Sequence, residues 1–297
     1  MSQREIEQVA VPVPAFLDVG FGAEREVQRR LSMEVARRAA RIQSLGLQVG
    51  VSRNFWPLVE APGLAGESNQ RMPLVDPACQ STLEDGTAFW VGAWRDERLV
   101  ATTAVRLRHV PTSLREEMES LRFFYDDPVR IPEGTWCRVD APSARHISGL
   151  VMCSVAVWTA KAESGQGLAE TVSQLAKLIG VGLWDPDFLI GFSMIGLLRK
   201  FAFHKYWHST AELGFMLAAP LCTLPEPACL LSTTRRDFRE QRLGLPGVTA
   251  VRTAGAATPW ESSGVSSGVS SGAPTEAVAH PASEEWGARP SDSGHPV

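Results

Sequence analysis

Long apolar runs are missing from this sequence. The longest are about ten residues, well short of the ~20 that a membrane helix needs, so no membrane partner is expected. The polar opening, MSQREIEQVA, has no apolar h-region and does not read as a secretory signal. An excess of basic residues is missing too. The formal net charge is -4, which gives no global attraction to nucleic acid or to an anionic surface. The five cysteines (79, 137, 153, 222 and 229) are odd in number and irregularly spaced. They read as buried thiols of a reducing, cytoplasmic compartment rather than as a disulfide framework. Tyrosine is scarce: Tyr125 and Tyr206 are the only two, so few phenols are available for proton transfer.

The 297 residues suffice for one large or two small domains. Residues 1–22, with VPVPAF, read as an extended leader. Over 24–46 the positions Val27, Leu31, Val35, Ala39, Ile42 and Leu45 form one apolar stripe at helical spacing, stopped by Gly46. Arginines 25, 29, 30, 37, 38 and 41 read as its solvated face. A strand at 47–52 and an irregular, proline-bearing stretch over 54–87 follow. A hairpin comes next, with strands at 88–94 and 99–110 rich in β-branched and aromatic residues. A helix at 112–124, capped at Thr112 or Ser113, leads into a loop over 125–146 with a short strand at 136–139. The run GLVMCSVAVW lies in a strand, 147–159, buried on both faces. After it come a helix (167–181), a turn at Asp185-Pro186-Asp187, a strand (188–194), a helix (195–207) and a final strand (211–217). Residues 23–222 are expected to form the domain and 223–244 a short extension, with a brief helix at 235–243. The Gly/Ser/Pro-rich acidic segment 245–297 carries too few apolar side chains to offset the entropy of ordering and reads as a disordered tail.

Between the buried strand and the helix stands ESGQGLAE, Glu163 to Glu170. Glycines there permit close backbone approach and positive φ, and a helix start offers unpaired N–H groups with a positive dipole end. A phosphate could therefore be held by main chain alone. A P-loop would need a lysine after Gly167, where Leu168 and Ala169 stand. A dinucleotide fingerprint would need a small residue where Glu170 stands. The remaining pattern, R-G-x-G-x-(G/A), is met from Gly165 to Ala169, with Ser164 in its first position. It resembles the acetyl-CoA pyrophosphate motif of GNAT-type N-acetyltransferases, and the element order from roughly 24 to 222 fits that superfamily as well.

The resemblance implies an α+β fold with a mixed, mostly antiparallel sheet, splayed central strands and helices on both faces. It implies acetyl-CoA or another acyl-CoA as co-substrate, no metal, and direct acyl transfer to a small-molecule or peptide amine. A homodimer stays open. The diphosphate would lie on Ser164, Gly165, Gln166, Gly167, Leu168 and Ala169, and the pantetheine arm along Val157, Trp158 and Thr159. Ser164 departs from the usual Arg or Gln, Glu163 is acidic, and Lys161 is the only nearby cation. Tyr206 is the implied catalytic acid in type and element, although the family register falls on Ala202 or Phe203. No base stands out. Asp126, Asp127 and Asp140 could take a proton, but the DDP sequence also sets a turn. His204 and His208 stand four apart without a third ligand, and Cys153 reads as core. A non-catalytic CoA-binding or partner-binding module on the same fold is the alternative. Acyl-homoserine-lactone synthesis shares the fold, but its motif set is not found.

Overall fold

The apolar stripe expected at 24–46 forms a helix of 19 residues with Val27, Leu31, Val35, Ala39 and Ile42 buried. The structure is a computed structural model and describes residues 11–12, 24–60, 72–83, 85–196, 203–220, 222–223 and 228–245. Nearly all of the expected leader and tail, and residues 197–202 of the helix expected at 195–207, lie outside these residues. In chain order the elements are β1 (Val11–Pro12), α1 (Arg25–Gln43), β2 (Gln48–Ser52), α2 (Trp56–Glu60), β3 (Ala88–Arg95), β4 (Arg98–Val110) and α3 (Leu114–Glu119). They continue with β5 (Trp136–Val139), β6 (Gly149–Thr159), α4 (Leu168–Trp184), β7 (Phe188–Met194), β8 (Thr210–Ala219), β9 (Cys222–Thr223), β10 (Ala228–Thr234) and α5 (Arg235–Leu243). The helix expected at 112–124 is the shorter α3. Ser113 caps it by accepting from the Glu116 N–H, and Leu121, at φ 65°, turns the chain away.

The strands form one sheet in the order β1-β2-β3-β4-β6-β7-β10-β8-β5, with β9 on β8. Only β6 and β7 pair in parallel; every other described pair is antiparallel. The sheet is thus mixed and mostly antiparallel, with helices on both faces. On one face Val151, Cys153 and Val155 pack with Leu58 of α2 and Leu114 and Met118 of α3. On the other, Leu150 and Met152 pack with the stripe of α1 and with Leu175, Leu178 and Ile179 of α4. Alternate residues of β6 enter opposite cores, so an unbroken apolar run is what this strand requires.

The C-terminal boundary differs from the sequence expectation. β10, within the expected extension, lies between β7 and β8 and pairs with both. Its Thr234 then caps α5 by accepting from the Asp237 N–H. Arg235 and Arg239 of α5 reach Asp185 at the end of α4, and Arg30 of α1 donates to the Leu243 carbonyl. The ordered unit therefore runs on through α5.

One irregularity sits in β6. Thr102 of β4 faces Trp158 and Ala104 faces Val155, so Ala156 and Val157 share the single partner position of Thr103, a β-bulge. Ala156 has φ 52°, where a β-branched residue is strained. Ala156→Val is expected to destabilise by roughly 1–3 kcal/mol and Ala156→Gly to be near neutral, as compared by chemical denaturation.

Candidate functional site

β6 and β7 pair at only four positions, from Val151 with Phe188 to Ser154 with Gly191. Beyond these they part. β6 stays on β4 as far as Thr159, while Phe192, Ser193 and Met194 of β7 stay on β10. The bulge at Ala156 lies just past the point of divergence and steers β6 away. A cavity of about 630 Å³ occupies the opening. Met72 and Val155 from one core and Leu168 from the other line it, so it reaches through the sheet.

The glycine turn forms one end of this cavity. A 3₁₀ turn, Lys161–Glu163, ends β6, and the Ser164 N–H and hydroxyl both donate to the Lys161 carbonyl. Gly165 and Gly167 then take φ 85° and 72°, and a Cβ built on either would meet nothing within 4 Å. Gly167 is the N-cap of α4 and brings no side chain to cap it. The first amide satisfied at this helix start is that of Thr171, which donates to the Gly167 carbonyl at 3.0 Å. The N–H groups from Gly165 to Glu170 make no hydrogen bond to any described residue. A helix start with such amides can hold a negative group with main chain alone.

Glu163, whose charge the sequence sets against an anion, also lines the cavity, with its carboxylate paired. Arg95 Nε and Nη2 grip its carboxylate at 2.6 and 2.9 Å, and the Gln166 amide donates to it at 3.1 Å. Arg95 holds the Glu163 carboxyl below the usual carboxylate range. Lys205 lines the cavity, whereas Lys161 does not.

The structure brings most of the expected site residues together. Val157, Trp158, Thr159, Ser164, Gly165, Gly167, Leu168 and Ala169 line the same cavity as Tyr206. Gln166 does not line it; its side chain serves Glu163. Tyr206 ends the 3₁₀ turn Phe203–Tyr206, the described end of the expected helix. Two α4 side chains hold that turn. Gln174 Nε2 donates to the Lys205 carbonyl at 2.8 Å and Lys177 Nζ donates to the Tyr206 carbonyl. Burial, with Glu170 nearby, pushes the Tyr206 phenol up, so it stays protonated at neutral pH.

The carboxylates considered as bases serve the fold. Asp126 accepts from the N–H and hydroxyl groups of Ser81 and Thr82. Asp127 caps a 3₁₀ turn through the Val129 N–H at 2.9 Å, and Asp140 pairs with Arg138 at 2.8 Å. None of the three lines the cavity. His204 and His208 do not share an α-helical face. His208 follows the 3₁₀ turn, and its Nε2 lies 2.9 Å from Lys177 Nζ.

Lys177 is the functional candidate that sequence reasoning missed, and its neighbour His208 was weighed there only as a metal ligand. Both line the cavity, as do Ser154 and Ser173, whose buried hydroxyls have no partner among the described residues. The available signal was a lone charge in the body of α4, where Lys177 is the only charged residue from Thr171 to Trp184. That charge sits in a stretch, Val172 to Gly182, that is buried on every side. Burial moves the Lys177 ammonium down to about 7 and His208 well below its usual range.

This depression has a consequence for stability. An unfolded lysine keeps its proton to a pH of about 10.4, while the folded one loses it near 7. Between those values the unfolded state binds the extra proton. Stability should therefore rise with pH, by up to about 1.4 kcal/mol per unit, and fall as pH drops toward 7. Lys177→Met is expected to flatten that slope, as read from denaturation midpoints at pH 7, 8, 9 and 10.

No family model matches the chain, and no curated protein matches it in sequence. Solved structures similar to it include an acyl-CoA N-acyltransferase from Pseudomonas aeruginosa, at 16% identity and TM-score 0.33, covering 63% of this chain and 99% of that one. Another is an acetyltransferase of the GNAT family from Streptococcus agalactiae, at 14% identity and TM-score 0.32, covering 72% and 92%. A third is FeeM, an N-acyl amino acid synthase from uncultured soil microbes, at 11% identity and TM-score 0.30, covering 74% and 92%. At such TM-scores these likenesses carry no weight for the function, which has to be read from the cavity itself.

Proposed function

We propose that the protein is an acyl-CoA-dependent N-acyltransferase that moves an acetyl or other acyl group directly onto a small-molecule or peptide amine. One observation carries this reading: a row of unpartnered main-chain N–H groups adjoins a cavity set in a split sheet. The amides of Gly165 to Glu170 would hold the diphosphate, and the positive end of α4 favours its charge. Beyond its bulge, β6 has no β7 partner on one side, so Val157, Trp158 and Thr159 offer backbone to the amides of the pantetheine arm. A β6 N–H aimed at the thioester carbonyl would stabilise charge developing on its oxygen. Tyr206, kept protonated by burial, is the proposed acid for the departing thiolate. All five cysteines are free thiols, and a reducing cytoplasm is the compartment we propose from them. No described helix is long and apolar enough to cross a membrane.

The test is thermal unfolding with millimolar acetyl-CoA, followed by thiol release across a panel of amines. Ligand at 100 times its dissociation constant should add about 2.7 kcal/mol. Stabilisation with thiol release supports the enzyme. Stabilisation alone favours a non-catalytic CoA-binding module. No stabilisation removes both readings.

A further inference from the structure

The chain has four lysines, at 161, 177, 200 and 205, against 25 arginines. Lys177 is the only charged residue in the buried stretch Val172–Gly182 of α4, and it lines the cavity where β6 and β7 part. An arginine there would keep its proton, whereas a buried lysine gives it up readily. The groups around it are few. Tyr206 presents its carbonyl and His208 its Nε2, Cys153 approaches from β6 and Arg242 from α5, and the hydroxyls of Ser154 and Ser173 line the same wall. Glu170, near the start of α4, also lines the cavity, but no carboxylate pairs with Lys177 among the described residues.

Two groups stand within hydrogen-bond distance of Lys177 Nζ, and the His208 tautomer sets which way the second bond runs. His208 is neutral by burial, and its Nδ1 has no partner among the described residues. With the hydrogen on Nδ1, Nε2 is an acceptor. The neutral Lys177 amine donates one hydrogen to the Tyr206 carbonyl and the other to His208 Nε2. Cε takes the third position on nitrogen, and the fourth holds the lone pair. A deprotonated, pre-positioned amine in the wall of a cavity is a nucleophile.

We propose that Lys177 is itself an acyl acceptor, taking the acyl group from a thioester held in this cavity; the inference rests on the acyl-CoA reading above. The Nζ–carbon bond forms and the carbon–sulfur bond breaks. The electron pair leaves with sulfur, and the proton shed by nitrogen passes to the thiolate. The products are an Nε-acyl-lysine and the free CoA thiol, and no further reactant is required. The amide has no basic lone pair and adds bulk to the wall, so the modification acts as a brake when no amine competes for the thioester.

The full chain incubated with acetyl-CoA and no amine, then read by intact mass and peptide mapping, tests this. The expected product carries about one acetyl group per chain, on Lys177, with the exposed Lys161 and Lys205 at least tenfold less labelled. Its rate should level off above about pH 7 rather than climb to pH 10 as for an ordinary lysine. Lys177→Arg should abolish the label, and Gly167→Asp should lower it at least tenfold in protein that still folds. An unlabelled Lys177, exposed lysines labelled equally fast, or undiminished labelling in Gly167→Asp would overturn the inference. The melting temperature with and without CoA, taken on the same samples, separates the two failures. A CoA shift with no label sinks this inference alone, and the absence of both sinks the acyl-CoA reading too.

Discussion

Gly167→Asp is expected to abolish stabilisation of the protein by CoA. Gly167 is the N-cap of α4 at φ 72°, with no neighbour within 4 Å of an added Cβ. The substitution therefore meets no steric block. It does meet backbone strain of roughly 1 kcal/mol, since a side chain disfavours that conformation. Aspartate is also a good helix cap, which offsets part of the strain and keeps the protein folded. What changes is the charge. A carboxylate would accept from the amides that otherwise face the cavity, and it would stand against the diphosphate. Binding should weaken at least 100-fold, or about 2.7 kcal/mol. Gly167→Ala isolates the strain: it should lower the melting temperature while keeping most of the CoA shift. Thermal unfolding of the three proteins with and without CoA decides the matter. An undiminished shift in folded Gly167→Asp would place the ligand elsewhere.

Ending the chain after Thr223 should leave no cooperative fold. β10 is a central strand, paired with β7 along its whole length and with β8 from Ala228 to Ser232. Its loss strips two neighbours of ladder partners at once and opens the core around Ala228 and Leu230. Buried backbone groups without partners are not tolerated at that scale. Leu230, only 1% exposed, offers a graded version, with Leu230→Ala expected to cost about 2–5 kcal/mol. A chain ending after Thr249, the limit of the first compact unit, should melt cooperatively. Circular dichroism melts distinguish these outcomes, and a cooperative melt for the shorter chain would contradict the sheet order.

The parts of this fold that were legible in the sequence are those dictated locally. The stripe of α1, the two-sided burial of β6 and the glycine turn all follow from periodicity and from what glycine permits. β10 was not legible. Its apolar stretch ACLLSTT follows Pro225 and Pro227, so it reads as the fringe of a loop. Nothing local shows that a strand late in the chain inserts between two earlier ones. The split between β6 and β7 was expected only through the resemblance, because register is a property of strand pairs. At the site, the turn came from residue types at fixed spacing. The pairing of Lys177 with His208, 31 residues apart, was missed because their meeting depends on how the Tyr206 turn docks on α4. The pairing of Glu163 was hidden for a similar reason, its partner Arg95 lying 68 residues away.

The most direct measurement is amide hydrogen exchange at Gly165 to Glu170, with and without CoA. Without the ligand these amides have no acceptor among the described residues and should exchange quickly, in contrast to those deeper in α4. With CoA they should slow markedly while the rest of the helix changes little. Amides that are already protected without CoA, or that exchange just as fast in its presence at millimolar concentration, would contradict a main-chain cradle for the diphosphate and the acyltransfer built on it.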